Sequence, residues 1–243
     1  MYITRFVYFA TGNLYTVPSD IEQCETNRLK QKNPVVPDPW PDADFGEAPL
    51  LHTILDDNVH PGSTQDVVIA GQKNGIVWAL DRDDGHIVWA MVAGTGGSTG
   101  GASWGSATDG QLVYTNIVNS DRLNFTLLPS HEVTIGGGWV ALDANSGSIL
   151  WSTAAPNSSI AYGPVTVANG VVFVTAYGVP CGALLALEAT SGEVLWQYNT
   201  SSSLAGGVSV VNGCVYLGEG STETGKLSAP ISVGGSHADA FCV

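Results

Sequence analysis

With 243 residues, the chain has the length of one large domain or two small ones, and its 30 glycines, 44% hydrophobic content and 12% charged residues are those of a turn-rich folded protein. Lys and Arg number 8 against 22 Asp and Glu, a net charge of −14; a surface of that sign repels phosphate backbones and argues against a nucleic-acid partner. No apolar run reaches the length of a membrane span.

In chain order, the first residues (MYITRFVYFATGN) are too short and too interrupted for a signal peptide and read as a strand that begins abruptly. Residues 1–15 are expected to be the tail strand of a repeat unit, and residues 16–46 a loop. A repeat then sets in. Ala79-Leu-Asp-Arg-Asp-Asp-Gly85-His-Ile-Val-Trp89 returns as Ala141-Leu-Asp-Ala-Asn-Ser-Gly147-Ser-Ile-Leu-Trp151 and as Ala186-Leu-Glu-Ala-Thr-Ser-Gly192-Glu-Val-Leu-Trp196. A short apolar strand ends in an acid, a tight turn closes on Gly, and a second strand ends in Trp. The Gly supplies the positive φ that such a hairpin loop needs, and the Trp is large and flat enough to fill the gap between adjacent twisted sheets. Trp89, Trp151 and Trp196 are therefore expected to pack between units.

A second hairpin precedes each copy. Residues 105–114, 163–173 and 207–216 are alternating strands around Asp109-Gly110, Asn169-Gly170 and Asn212-Gly213 turns. Together the two hairpins make a four-stranded antiparallel blade, the unit of a β-propeller. Full blades are expected at 47–93, 103–153 and 161–200, and a partial one at 205–243. The longer interval between the first two Trp residues holds an insertion at 119–131. No segment sustains a 3.6-residue apolar period, so helix should be scarce. The fold expected is all-β, a partial β-propeller with about three full blades and two partial ones. Open blade edges predict a protein partner or self-association.

The four cysteines, Cys24, Cys181, Cys214 and Cys242, are widely spaced and suggest neither a zinc site nor a thiol-redox motif. They allow one or two disulfides, with the pairing open. Asn124, Asn157 and Asn199 begin Asn-x-Ser/Thr sequons, which would suit an extracytoplasmic or secreted protein. His52, His60, His86, His131 and His237 share no metal-ligand spacing and read as structural or surface residues.

Beyond the blade signature, which quinoprotein-like propellers share, four segments resemble pyrroloquinoline quinone (PQQ) dependent alcohol dehydrogenases, within them the polyvinyl-alcohol-dehydrogenase-like group. Val7-Tyr-Phe-Ala-Thr-Gly-Asn13 is similar to a strand end whose Asn binds calcium against the quinone. Pro41-Asp-Ala-Asp-Phe-Gly-Glu-Ala-Pro49 resembles the segment carrying the catalytic base, here Asp44, which by the same resemblance also faces the metal. The stretch 71–82 looks like the strand whose basic residue reaches the quinone oxygens, here Lys73, and Gly100-Gly-Ala-Ser-Trp-Gly105 resembles a lead-in where Ser103 and Trp104 contact the cofactor.

The resemblance implies PQQ and Ca2+ as cofactors and a small-molecule or polymeric alcohol as substrate. The residue types suit that chemistry: a carboxylate takes the hydroxyl proton, oxygen ligands suit calcium, and an ammonium stabilises charge on the quinone oxygens.

The pattern also departs from the family. Residues 16–40 lack the Asp-x-x-x-Gly-x-x-x-Trp copy that the family places between the positions of Asn13 and Asp44. The acidic calcium ligand, the quinone-stacking Trp and a vicinal Cys pair precede the Asn motif in the family, and neither Cys-Cys nor the haem-attachment pattern Cys-x-x-Cys-His occurs here. The chain thus reads as a shortened portion without the upstream half of the cofactor site. Two alternatives to an oxidoreductase stand beside it: a non-catalytic propeller scaffold, and a truncated inactive homologue.

Overall fold

The computed structural model describes residues 44–55, 62–97, 99–178, 181–220 and 238–242. The predicted residue 1–15 strand, Asn13 and most of the 16–46 loop lie outside them.

Strands β1 (Leu50–Leu55), β2 (Thr64–Gly71), β3 (Ile76–Asp81) and β4 (Ile87–Val92) form one antiparallel sheet in sequential order. The second sheet is built from β5 (Ala107–Thr108) and β6 (Leu112–Ile117), then, after the insertion, β9 (Gly138–Asp143) and β10 (Ile149–Ala154). The insertion makes a small hairpin of its own, β7 (Phe125–Thr126) with β8 (Val133–Thr134). β11 (Thr166–Ala168), β12 (Val171–Ala176), β13 (Ala183–Glu188) and β14 (Val194–Asn199) form the third sheet. A last sheet has three strands among the described residues, β15 (Val208–Val211), β16 (Cys214–Gly218) and β17 (Ala238–Cys242). The one helical element described is a 3-10 turn at Pro156–Ser158. The chain is an all-β, partial β-propeller of antiparallel blades.

Local chemistry explains the hairpins. Asn169 and Gly170 (φ 51° and 77°) and Asn212 and Gly213 (φ 50° and 75°) supply the paired left-handed residues of tight two-residue turns. In the signature loops the acid holds the turn. Asp81 Oδ1 accepts hydrogen bonds from Asp83 N and Asp84 N, Asp143 Oδ1 from Ser146 N, and Glu188 Oε2 from Thr190 N and Ser191 N. Hydrogen bonding, from the Gln65 amide first, lowers the Asp81 carboxyl to about 2.

The core lies between sheets. Val67, Val77, Val113 and Val140 belong to the cluster between the first two blades, and Trp139, Val172, Val174 and Leu185 to the cluster between the second and third. β9 is accordingly buried on both faces, while β3, in the first blade, alternates between half-buried and buried residues over Ile76–Ala79. The signature Trp residues reach across these gaps. The Trp89 indole donates to the Ala144 carbonyl at 3.0 Å and Trp151 to Ala189 at 2.9 Å, each against the turn of the following blade.

Trp196 also meets the following sheet, as expected for its repeat position, but is covered less than the other two. It is 41% exposed and packs on Tyr198 and on Phe241 of β17, with ring centroids 6.1 and 5.1 Å away. Cys214 and Cys242 form a disulfide that fastens β16 to β17, whereas Cys181 is an exposed thiol and Cys24 lies outside the described residues. No helix among the described residues is long and apolar enough to cross a membrane.

Candidate functional site

Four of the site residues expected from the sequence, Asp44, Lys73, Ser103 and Trp104, sit where the loops at one end of the first two blades meet. The β2–β3 turn, Gln72 to Gly75, carries Lys73. A glycine-rich segment, residues 94–102, folds back onto it: Gly97 N and Gly101 N both donate to the Lys73 carbonyl (3.3 and 2.7 Å), and Ala102 N donates to Gln72 O. A Cβ on Gly101 would stand 2.5 Å from the Gly75 backbone, so the close approach excludes larger residues.

The short segment Asp44–Glu47 lies across both blades. Asp44 O accepts Lys73 N at 2.9 Å, and Gly46 pairs with Ser103 in an isolated bridge, its carbonyl accepting Trp104 N at 2.9 Å. That stitching brings the side chains together. Lys73 Nζ is 3.2 Å from Asp44 Oδ2, both side chains being about a quarter exposed. Ser103 is 1% exposed, and a Cβ on Gly46 would sit 2.8 Å from its Oγ. Asp44 Oδ1 and Ser103 Oγ are buried and have no hydrogen-bond partner among the described residues, as are the hydroxyls of Thr95 and Thr99 in the glycine-rich segment.

Buried polar atoms without partners are costly in a finished core and are tolerated where a ligand completes them. Two hard oxygens beside an ammonium are donor types that suit a divalent cation and an anionic quinone, so the residues present fit the cofactors expected from the sequence. Asp44, Lys73, Ser103 and Trp104 are thus neighbours, while Asn13 lies outside the described residues.

Four further residues shape this region and were not singled out in the sequence. Glu47 is 5% exposed, accepts Gly71 N, and takes the Ser106 hydroxyl on both carboxylate oxygens at 2.8 Å. Burial outweighs these hydrogen bonds and pushes its carboxyl up to about 7. Asn116, at the end of β6, is fully buried; its Oδ1 accepts Ser103 N and its Nδ2 donates to Ala161 O at 2.7 Å. Tyr162 follows Ala161, and its ring lies 5.1 Å from Trp104 and 5.8 Å from Tyr177. Burial first, and Tyr177 after it, raise the Tyr162 hydroxyl's pKa, while the charge of Lys73 opposes them.

A signal for Tyr162 exists in the repeat: Trp104-Gly105 and Tyr162-Gly163 occupy the same place at the start of successive units. A separate cleft of about 600 Å³, lined by Val92, Thr95, Leu123, Phe125, Leu128 and Ile149 among others, holds no titratable side chain. Polar groups poised for proton transfer are what mark a reactive site, and they lie around Asp44 and not in this cleft.

Comparison with known proteins agrees with the architecture. Residues 73–230 match the family model described as outer membrane protein assembly factor BamB. A polyvinylalcohol dehydrogenase of Pseudomonas sp is 29% identical over 234 residues, covering 81% of this chain and 33% of that protein. One of Sphingopyxis sp. (strain 113P3) is 26% identical over 176 residues, covering 67% and 24%. The chain therefore spans a third or less of the length of these relatives. Among solved structures, quinohemoprotein alcohol dehydrogenase from Comamonas testosteroni superposes with a TM-score of 0.53 at 18% identity, covering 75% of this chain and 35% of that one. On the blades, the inter-blade tryptophans and the matched segment, this chain belongs to the family described as outer membrane protein assembly factor BamB and shares the β-propeller fold of a quinohemoprotein alcohol dehydrogenase.

Proposed function

We propose that this chain carries one side of an alcohol-oxidising quinoprotein site, with Asp44 as the base. The observation that carries the reading is the Asp44–Lys73 pair at 3.2 Å, with Asp44 Oδ1 buried and without a hydrogen-bond partner among the described residues. A carboxylate in that position can take a hydroxyl proton. The Lys73 ammonium can donate a hydrogen bond to an oxygen on which charge accumulates. Asp44 Oδ1 and Ser103 Oγ are the groups here that would hold calcium or a quinone oxygen, Trp104 would contact the cofactor, and Asn13 is the further metal ligand suggested by resemblance. When bound, PQQ with its Ca2+ ion would supply the hydride acceptor. The names of the Pseudomonas and Sphingopyxis relatives support a secondary, polymeric alcohol as substrate. The Cys214–Cys242 disulfide supports an oxidising, extracytoplasmic compartment.

The test is to add PQQ and calcium to the purified protein and follow bound-quinone absorbance together with alcohol-dependent dye reduction. Uptake and turnover are expected in the wild type. Asp44→Asn should keep uptake and abolish turnover. An absence of uptake at high cofactor concentration overturns the reading and leaves the scaffold role that the family description suggests.

A further inference from the structure

Three aromatic rings from three separate segments lie in a row beside the site. Trp104 leads into β5, Tyr162 precedes β11, and Tyr177 follows β12. Their centroids are 5.1 and 5.8 Å apart with tilted planes, the range of favourable ring contacts. The row starts beside the site, because Trp104 directly follows Ser103 and its backbone N donates to Gly46 O, two residues from Asp44.

Each ring is held from its backbone. Trp104 N donates to Gly46 O, Asn116 joins Ser103 N to the Ala161 carbonyl, and Tyr177 N donates to Ile160 O at 2.7 Å.

Trp104 is in an unfavourable position for a residue whose only role is packing. It has φ 78°, the left-handed region that a bulky side chain rarely adopts. Its ring is nevertheless 51% exposed, so much of its apolar area stays in contact with water. The signature tryptophans Trp89 and Trp151, by contrast, are 8% and 3% exposed. Strain combined with exposure marks a residue kept for a ligand.

We propose that Trp104, Tyr162 and Tyr177 form a binding track for an extended hydroxylated chain, which presents successive alcohol groups to Asp44. The apolar carbon backbone of such a ligand would lie over the rings, and its hydroxyls would meet the two tyrosine hydroxyls and the polar atoms around Lys73. A small alcohol would touch only the end of the row, so the track selects for length. This rests on the alcohol-oxidising reading for the identity of the reacting group, but the track itself is read by binding alone.

The experiment is isothermal titration calorimetry on the full chain without cofactor, using vinyl alcohol oligomers of increasing length, 2-propanol and an uncharged apolar peptide. Affinity should rise with oligomer length and be undetectable for 2-propanol. Trp104→Ala should weaken binding of all oligomers about tenfold, the loss of roughly one ring contact. Tyr177→Ala, at the far end, should remove only the advantage of the longer oligomers, with its thermal midpoint recorded to show that it folds. Binding that is independent of length, unaffected by both variants, or weaker than that of the apolar peptide would overturn the track. Length-dependent binding without dye reduction in the presence of PQQ and calcium would leave the track standing and remove the oxidising reading. Dye reduction with 2-propanol but no oligomer binding would do the reverse.

Discussion

Both oxygens of the Glu47 carboxylate accept the Ser106 hydroxyl at 2.8 Å, in a place almost closed to water. Glu47 belongs to the segment that positions Asp44, and Ser106 belongs to the lead-in of the second blade, so this contact fastens the site across a blade boundary. Burial raises its carboxyl from 4.5 to about 7, so the folded state binds a proton more tightly than the unfolded state does. The stability this contributes is complete below pH 4.5 and is lost as pH rises to about 7. Over that window the loss is on the order of 3 kcal/mol. Urea titrations across that range should show the slope, and Glu47→Gln, which keeps the shape without the charge, should flatten it. A slope unchanged in the variant would show that another group is responsible.

How much could be read beforehand depended on whether the cause was local. The blades were legible because each hairpin needs its own Gly and each gap its own Trp, and both requirements repeat within a dozen residues, as in Asp81, Gly85 and Trp89. Trp196 fits the rule less completely, because across its gap it meets the Phe241 ring of β17 and stays 41% exposed, with Tyr198 of its own strand stacked beside it. Asp44, Lys73, Ser103 and Trp104 carried recognisable motifs, and the Asp44–Glu47 segment brings them together. Glu47, Asn116 and Tyr177 had no such motif, and Tyr162 had only the Tyr162-Gly163 counterpart of Trp104-Gly105. Their importance comes from contacts between blades, such as Asn116 Nδ2 to Ala161 O across 45 residues, which no local pattern encodes.

The signature glycines separate two costs that sequence alone merges. Gly85 and Gly147 both have positive φ, 77° and 71°. A Cβ on Gly85 meets nothing within 4 Å among the described residues, while one on Gly147 would stand 2.6 Å from the Trp89 ring. Gly85→Ala should therefore cost about 1 kcal/mol of backbone strain, and Gly147→Ala about 1–3 kcal/mol more from overpacking. Chemical denaturation of the two variants measures the difference. Equal losses would mean that the Trp89 contact is unimportant.

The Cys214–Cys242 disulfide joins residues 28 apart in sequence and holds β17 on β16. A loop of that size is worth about 3.5 kcal/mol through the unfolded chain. Replacing both cysteines by serine should lower the thermal midpoint, and a reductant should lower that of the wild type but leave the double variant unchanged. A reductant effect that persists in the double variant would assign the loss to another thiol.

Asn116 offers a test of whether the site and the aromatic row are mechanically one unit. Its side chain is the only described partner of both Ser103 N and Ala161 O outside the backbone, and those atoms precede Trp104 and Tyr162 directly. Asn116→Leu fills the space but leaves a buried amide and a buried carbonyl unpaired, at about 1–3 kcal/mol each. Asn116→Asp keeps the acceptor for Ser103 N but loses the donor to Ala161 O. If the two rings depend on this bridge, both variants should weaken oligomer binding, and hydrogen exchange should quicken at Ser103 in the Leu variant only. Loss of stability without any change in binding would separate the fold's need for Asn116 from the site's.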